Sequence, residues 1–278
     1  MALAMRLTVP VAAALLAYSV APVATQPVPP SAKPEMMLEN CPGLISSRKP
    51  RVVPAALAGD QVRVSYIGHA TFLIESPRLV RMATDYNNYV RPPMLPDIVT
   101  MNHAHSTHYT DSPEPGIKHV LRGWGASPDE PARHDLHYQD VRVRNVPTNI
   151  RSWGGGTERH GNSIFIFEIA NMCVAHLGHL HHTLTQTQLN EIGRIDAVMF
   201  PVDGGVTLDR EGMIDVLVAL KAPVMIPMHS FSAFSLNGFV QRAKEREGWP
   251  FEVMDVPSVV LSKSTAPTAP KILVLPGR

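Results

Sequence analysis

The sequence predicts a layered α/β sandwich in preference to a doubly wound parallel sheet. Three observations carry that expectation: short alternating strands open the folded body, helical and strand patterns alternate in the middle, and strands return near the end. Histidines gather where several of those strands stop, and strand-end loops are where a rigid sheet presents its chemistry.

The chain has 278 residues, 45% hydrophobic and 18% charged, enough apolar material for one large domain or two tightly fused halves. Formal net charge is +1 and no long basic run occurs. Nucleic acid and anionic membranes are therefore not expected as partners, and a small-molecule substrate is. The 13 histidines are the compositional anomaly.

Residues 1–25 read as a signal peptide: a positively charged start from Met1 to Arg6, an apolar core from Val9 to Val20, and small residues before a cut expected after Thr25. That core is too short to span a bilayer comfortably, so no stable membrane insertion is expected after its removal. The predicted destination is periplasmic or secreted. Cys41 and Cys173 would then meet an oxidising compartment; a bridge between them and a buried free thiol at Cys173 are both open. Residues 26–58 form a Pro-rich N-terminal arm, and residues 59–278 form the folded domain.

Within that domain Val62, Val64 and Tyr66 alternate with polar residues and predict a strand; Gly68 breaks it, and Thr71 to Glu75 and Leu79 to Ala83 complete an antiparallel meander. Asp97 to Met101 is a further strand, followed by Ile117 to Leu121 and Val141 to Val146. Ser163 to Ile169 pairs with Met172 to His176 as a hairpin. A helix over Thr183 to Gly193 has Thr183 or Thr185 as its cap; Leu208 to Leu220 is a second, opened by Asp209, and Leu236 to Glu247 a third, closed by Gly248. Ile195 to Pro201 and Pro223 to Met228 are buried strands between them. Phe251 to Val256 and Lys271 to Leu275 close the chain.

The stretch after Met101 places His103, His105 and His108 within six positions. Neutral imidazole is the commonest protein ligand for a transition metal, and such tight spacing lets one loop deliver several nitrogens to one small volume. His160 falls in a loop at a strand start, His176, His179, His181 and His182 at the end of the hairpin, and His229 at the end of another strand. His119, His134 and His137 have no metal-like partners and read as surface or satisfied polar residues.

In order along the chain stand Ile67-Gly68-His69-Ala70-Thr71-Phe72-Leu73-Ile74-Glu75, Ala83-Thr84-Asp85, the cluster beginning at His103, Arg159-His160-Gly161-Asn162, Ala175-His176-Leu177-Gly178, Phe200-Pro201-Val202 and Ile226-Pro227-Met228-His229. With these landmarks the chain resembles the metallo-β-lactamase fold superfamily, most closely its ascorbate-6-phosphate lactonase-like branch, across about residues 61–257. The resemblance implies an αββα four-layer sandwich with metal at one edge between two sheets. It also implies a metal-dependent hydrolase that attacks an ester, lactone or phosphodiester with metal-bound hydroxide. By position it makes His103, His105 and His160 ligands of one metal and His108 and His229 ligands of a second. Asp85 would orient a ligand histidine or line the site, and His69 would line the same edge or serve as a hydrogen-bonded turn residue.

Two departures from the family's pattern stand out. The pattern His-x-His-x-Asp-His has Thr107 at its aspartate position, and the bridging aspartate of the later loop is replaced by His179. Two close divalent cations repel, and without carboxylates little offsets that repulsion. The expectation is therefore one metal on His103, His105 and His160 with His179 as a fourth ligand. His108 and His229 complete the shell, hold a second ion weakly, or act as acid/base groups. Nitrogen ligation suits zinc, the first expectation, as well as copper, nickel or iron, and argues against magnesium and calcium. With the carboxylate at position 107 gone, His108, His181 or His182 is left to carry protons. The alternatives are a non-hydrolytic metal-binding protein for storage, delivery or sensing, and a redox metal site.

Overall fold

A computed structural model describes residues 56–277 apart from 128 and 153. The expected signal peptide, the Pro-rich arm up to residue 55 and Cys41 lie outside the described residues. Cys173 is a free, half-buried thiol. Among the described residues no helix is long and apolar enough to cross a membrane.

The chain begins with β1 (Gln61–Gly68), β2 (Thr71–Glu75), β3 (Arg81–Ala83), β4 (Ile98–Met101) and β5 (His119–Arg122). Then come β6 (Asp135–Tyr138), β7 (Val141–Arg151), β8 (Thr157–Ile169) and β9 (Met172–His176). Helices and strands alternate through α1 (Gln186–Ile192), β10 (Ala197–Pro201), α2 (Arg210–Leu220), β11 (Val224–Met228) and α3 (Ala233–Glu247). Short strands β12 (Phe251–Val253), β13 (Ser258–Ser262) and β14 (Lys271–Val274) finish it.

These strands make two sheets, a six-stranded one in the order β13-β1-β2-β3-β4-β5 and an eight-stranded one in the order β12-β14-β11-β10-β9-β8-β7-β6. The main core lies between them. Val62, Val64, Phe72, Ile74 and Met82 from the first sheet pack with Phe165, Phe167, Val174, Met199 and Ile226 from the second. Period-two alternation puts these side chains on one face, and each large one contributes roughly 2–3 kcal/mol on burial. The other face of the eight-stranded sheet is apolar too, through Ile164, Ile166, Val198, Phe200 and Met225. Met213, Leu217 and Phe239 of α2 and α3 cover it, which is why β10 and β11 are buried at every position. The outer face of the six-stranded sheet is covered by Tyr86, Ile117, Tyr109 and Trp124.

Each helix starts at a side-chain cap. Thr185 and Gln188 form a reciprocal capping box for α1, Asp209 accepts from the Gly212 amide ahead of α2, and Ser232 accepts from the Ser235 amide ahead of α3, which Gly248 ends at a φ of 71°. The third helix thus begins three residues before the expected Leu236. Strands β6 and β13 are not among the expected elements: β6 has four residues with mixed polarity, and β13 has only three apolar residues between two serines. The largest difference is the β7–β8 hairpin. Its ladder continues past a bulge between Thr148 and Ile150 to the pair Arg151 and Thr157, so His160 sits in a strand and not in a loop.

Candidate metal centre

Four strand ends converge on one spot. β4 ends just before the segment 102–108, β9 leads into 177–182, β10 into Asp203, and β11 into His229. His229 holds a φ of 56°, and its amide donates to the His69 carbonyl at 2.8 Å, which draws the turn after β1 up against it. Gly178 takes a φ of 60°, and a Cβ there would come within 2.3 Å of Asn102 and 2.4 Å of Asn162, so both backbone and space call for glycine.

One ring nitrogen from each of His105, His108, His179 and His229 lies within 4.8 Å of the others, and no other group of three or more histidine, cysteine or acidic ligands occurs among the described residues. His105 Nε2 stands 3.0 Å from His179 Nε2, and His108 Nε2 stands 3.3 Å from His229 Nε2. A tetrahedral zinc with bonds of about 2.05 Å needs nitrogens roughly 3.4 Å apart, so two of the spacings are already near that value.

Behind the group stand two buried carboxylates. Asp85 takes the Nδ1–H of His108 at 2.6 Å and is itself held by the Asn102 amide at 2.9 Å. Burial pushes its carboxyl up to about 6, opposed by His176 and by the Asn102 bond. Asp203 accepts the Nδ1–H of His229 at 3.0 Å. Although burial pulls upward on Asp203, the bonds from His229, Thr207 and the amides of Gly205 and Thr207 hold its carboxyl well below the usual carboxylate range. With Nδ1 of His108 and of His229 both donating, each Nε2 carries a lone pair, and the two lone pairs face each other at 3.3 Å. Such a pairing is repulsive unless a cation satisfies both, and that is the observation by which a metal fits these residues. Burial also lowers the pKa of His105, His108 and His179, reinforced by the neighbouring imidazoles, and an unprotonated ring is the form that binds metal.

Residues 63–229 match a family model described as the beta-lactamase superfamily domain. The chain is a metallo-β-lactamase superfamily member. Among its curated relatives is a UPF0173 metal-dependent hydrolase of Thermoplasma acidophilum, 22% identical over 197 residues that cover 64% of this chain and 86% of the relative. Another, from Methanoculleus marisnigri, is 26% identical over 192 residues, covering 63% and 85%. Among solved structures, a candidate zinc-dependent hydrolase of the same superfamily from Thermotoga maritima aligns with a TM-score of 0.56 at 25% identity, over 78% of this chain and 100% of that one. The metallo hydrolase Igni18 of Ignicoccus hospitalis has the same fold, with a TM-score of 0.52 at 20% identity over 73% and 99%.

For a metallo-β-lactamase superfamily member the grouping of histidines is unusual. Of the six ligands expected from sequence, the structure brings together His105, His108, His179 and His229 and leaves two outside. His103 faces Glu158, Nδ1 to Oε1 at 2.7 Å, and its ring lies 5.1 Å from Trp124. His160 sits half-buried on β8, its amide bonded to Asn149 Oδ1 at 3.1 Å. His182, expected as a proton carrier, is exposed and lines a small separate cavity with Thr148 and Thr185. Asp85, expected to orient a ligand histidine or line the site, is fully buried behind His108 and bonded to that ring.

Thr107 bridges His105 Nδ1 at 2.9 Å and His69 Nε2 at 3.0 Å, and the His69 ring packs 4.2 Å from that of His229. His176 is structural: its Nε2 donates to the Ala70 carbonyl at 2.8 Å and ties the two sheets together. Asp203 is not among the residues singled out from the sequence, although an aspartate directly before two glycines at a strand end signals a turn whose carboxylate binds backbone. Arg151 and Asn102 carried no signal of their own, and Asn162 only as the last residue of the landmark that begins at Arg159.

Proposed function

We propose that the protein is an exported, zinc-dependent hydrolase of an ester or lactone. The observation that carries the reading is that the histidine group opens directly onto a cavity of about 410 Å³, to which His105 and His179 contribute together with Ala104, Ile150, Val206 and Phe231. That volume suits a small organic group. The guanidinium of Arg151, the cation in that lining, donates to the backbone carbonyls of Gly205, Val206 and Thr207 at 2.7 to 3.3 Å. An uncharged acyl or lactone group therefore suits the cavity better than a phosphodiester, in keeping with the lactonase-like branch that the sequence resembles. Export rests on the sequence of residues 1–25.

The ion would be held by His105, His108 and His229, with His179 beside them. When bound it supplies Lewis acidity and lowers the pKa of a coordinated water toward 7. Asp85 and Asp203 fix the rings of His108 and His229. No carboxylate enters the group, so proton transfer falls to imidazole. Burial and the neighbouring His229 bring the pKa of His69 down to about 4, so its ring is neutral at neutral pH and its Nε2 takes the Thr107 hydroxyl.

The test is turnover of aryl esters, lactones and an aryl phosphodiester by zinc-loaded protein, with His229→Ala and a chelator as controls. Ester or lactone turnover that disappears in both controls is expected; no turnover, or turnover that survives His229→Ala, overturns the reading. Thr107 at the position of the family's aspartate favours a second reading, a metal-binding protein without hydrolysis. Tight zinc binding with no turnover on the whole panel would select it.

A further inference from the structure

A hydrogen-bonded chain enters the histidine group from the wall of the cavity. It begins at the backbone amide of Arg151, which donates to His181 Nδ1 at 2.7 Å. An amide N–H can only donate, so His181 Nδ1 must keep its lone pair and the ring's proton must sit on Nε2. That proton points at His179 Nδ1, 2.5 Å away. His179 Nδ1 is therefore an acceptor, and its own proton is confined to Nε2, facing His105 Nε2 at 3.0 Å. His105 accepts there and donates from Nδ1 to Thr107 Oγ1 at 2.9 Å, and the Thr107 hydroxyl donates to His69 Nε2 at 3.0 Å. Every link has one donor and one acceptor. The chain cannot run in reverse, because its first group has no lone pair to offer.

We propose that His179 serves this site as a hydrogen-bond donor and not as a metal ligand, its proton held on Nε2 by His181 and the Arg151 amide. A ring nitrogen that carries a proton has no lone pair for a metal. The contrast with its neighbours is chemical. His108 and His229 have carboxylates on Nδ1, which take the proton there and leave Nε2 free to ligate. His179 has an imidazole N–H on Nδ1, and the proton is driven to the other side.

The family's pattern has an acceptor carboxylate at this position; this chain presents a donor beside the cavity that His179 and His181 both line. With His105 engaged by a metal, that N–H is available to a substrate carbonyl oxygen, where it would stabilise developing negative charge. The proposal rests on the metal-site reading given above.

Two measurements decide it. Long-range nitrogen-15 correlation of the histidine rings, with and without one equivalent of zinc, should show His179 and His181 as Nε2–H tautomers in both states. A His179 proton on Nδ1 overturns the proposal, and because the metal-free spectrum alone reports it, failure to bind zinc would sink only the metal reading. Zinc titration by calorimetry should leave His179→Gln within about tenfold of the parent, whereas His108→Ala and His229→Ala lose about a hundredfold or more. A loss for His179→Gln equal to theirs overturns the proposal. His181→Phe removes the donor that confines the proton, so His179 can ligate. The expected result is unchanged or tighter zinc binding and a cobalt spectrum with one more nitrogen ligand; weakened binding in a variant with the parent's circular dichroism counts against it.

Discussion

Asp203 receives the Nδ1–H of His229 on one carboxylate oxygen at 3.0 Å, while its other oxygen accepts the amides of Gly205, Val206 and Thr207 at 2.9, 2.7 and 3.1 Å. The turn thus holds the carboxylate, and the carboxylate holds the ring. Asp203→Asn keeps the shape but loses the negative charge that favours the proton on His229 Nδ1. The expected result is a ten- to hundredfold weaker zinc affinity together with a lower unfolding midpoint, because the depressed carboxylate also stabilises the fold at neutral pH, read by calorimetry and thermal denaturation. An unchanged affinity would show that this orientation is not needed.

The histidines also predict how stability responds to acid. His69 and His181 are brought down to about 4 by burial, helped by His229 and Arg151 respectively, and burial lowers His105, His108, His176 and His179 as well. A group whose folded pKa lies below its unfolded value stabilises the fold fully above the unfolded value, near 6.5, and loses that contribution as pH falls toward the folded one. Asp85, pushed up to about 6, has the opposite sign: its contribution is present below about 4 and is lost as pH rises through 6. Six histidines outweigh one carboxylate. The urea midpoint of chelator-treated protein should therefore fall steadily between about pH 6.5 and 4, and a flat profile would contradict these environments.

How much of this was legible in the sequence depends on whether the signal is local. Period-two alternation around Val62 to Tyr66 and the caps at Thr185 and Asp209 are local, and the structure has them as read. The superfamily's landmarks and the exchange of its aspartate for Thr107 were equally visible. Which histidines turn inward was not. His103 and His105 are two positions apart, and only the fold shows that Glu158, 55 residues on, receives the first while His179 meets the second. Tautomers are less legible still, since the proton on His179 depends on a backbone amide of the β7–β8 hairpin.

Gly178 tests how tightly the site is seated. An alanine there combines a φ of 60° with contacts of 2.3 and 2.4 Å to Asn102 and Asn162, and these two side chains support Asp85 and the His179 amide. Gly178→Ala should cost about 2–4 kcal/mol in chemical denaturation and abolish tight zinc binding. A variant of parental stability would mean that the two asparagines can move aside.

Restoring the family's carboxylates should change the metal count. Thr107→Asp combined with His179→Asp adds two negative charges where close cations would repel, and elemental analysis after zinc loading and desalting should move from one equivalent toward two. A count that stays at one would place the limit elsewhere, with His103 and His160 as the next positions to vary.

The extension of β7 and β8 beyond the rest of the sheet gives this molecule a mechanical property. Ile150 and Arg151 form part of the cavity wall, and the Arg151 amide is the group that fixes the proton of His181. A displacement of the hairpin tip that breaks that bond would free both nitrogens of His181 to exchange roles. Whether His179 Nε2 carries a proton would thereby depend on how this wall of the cavity is seated.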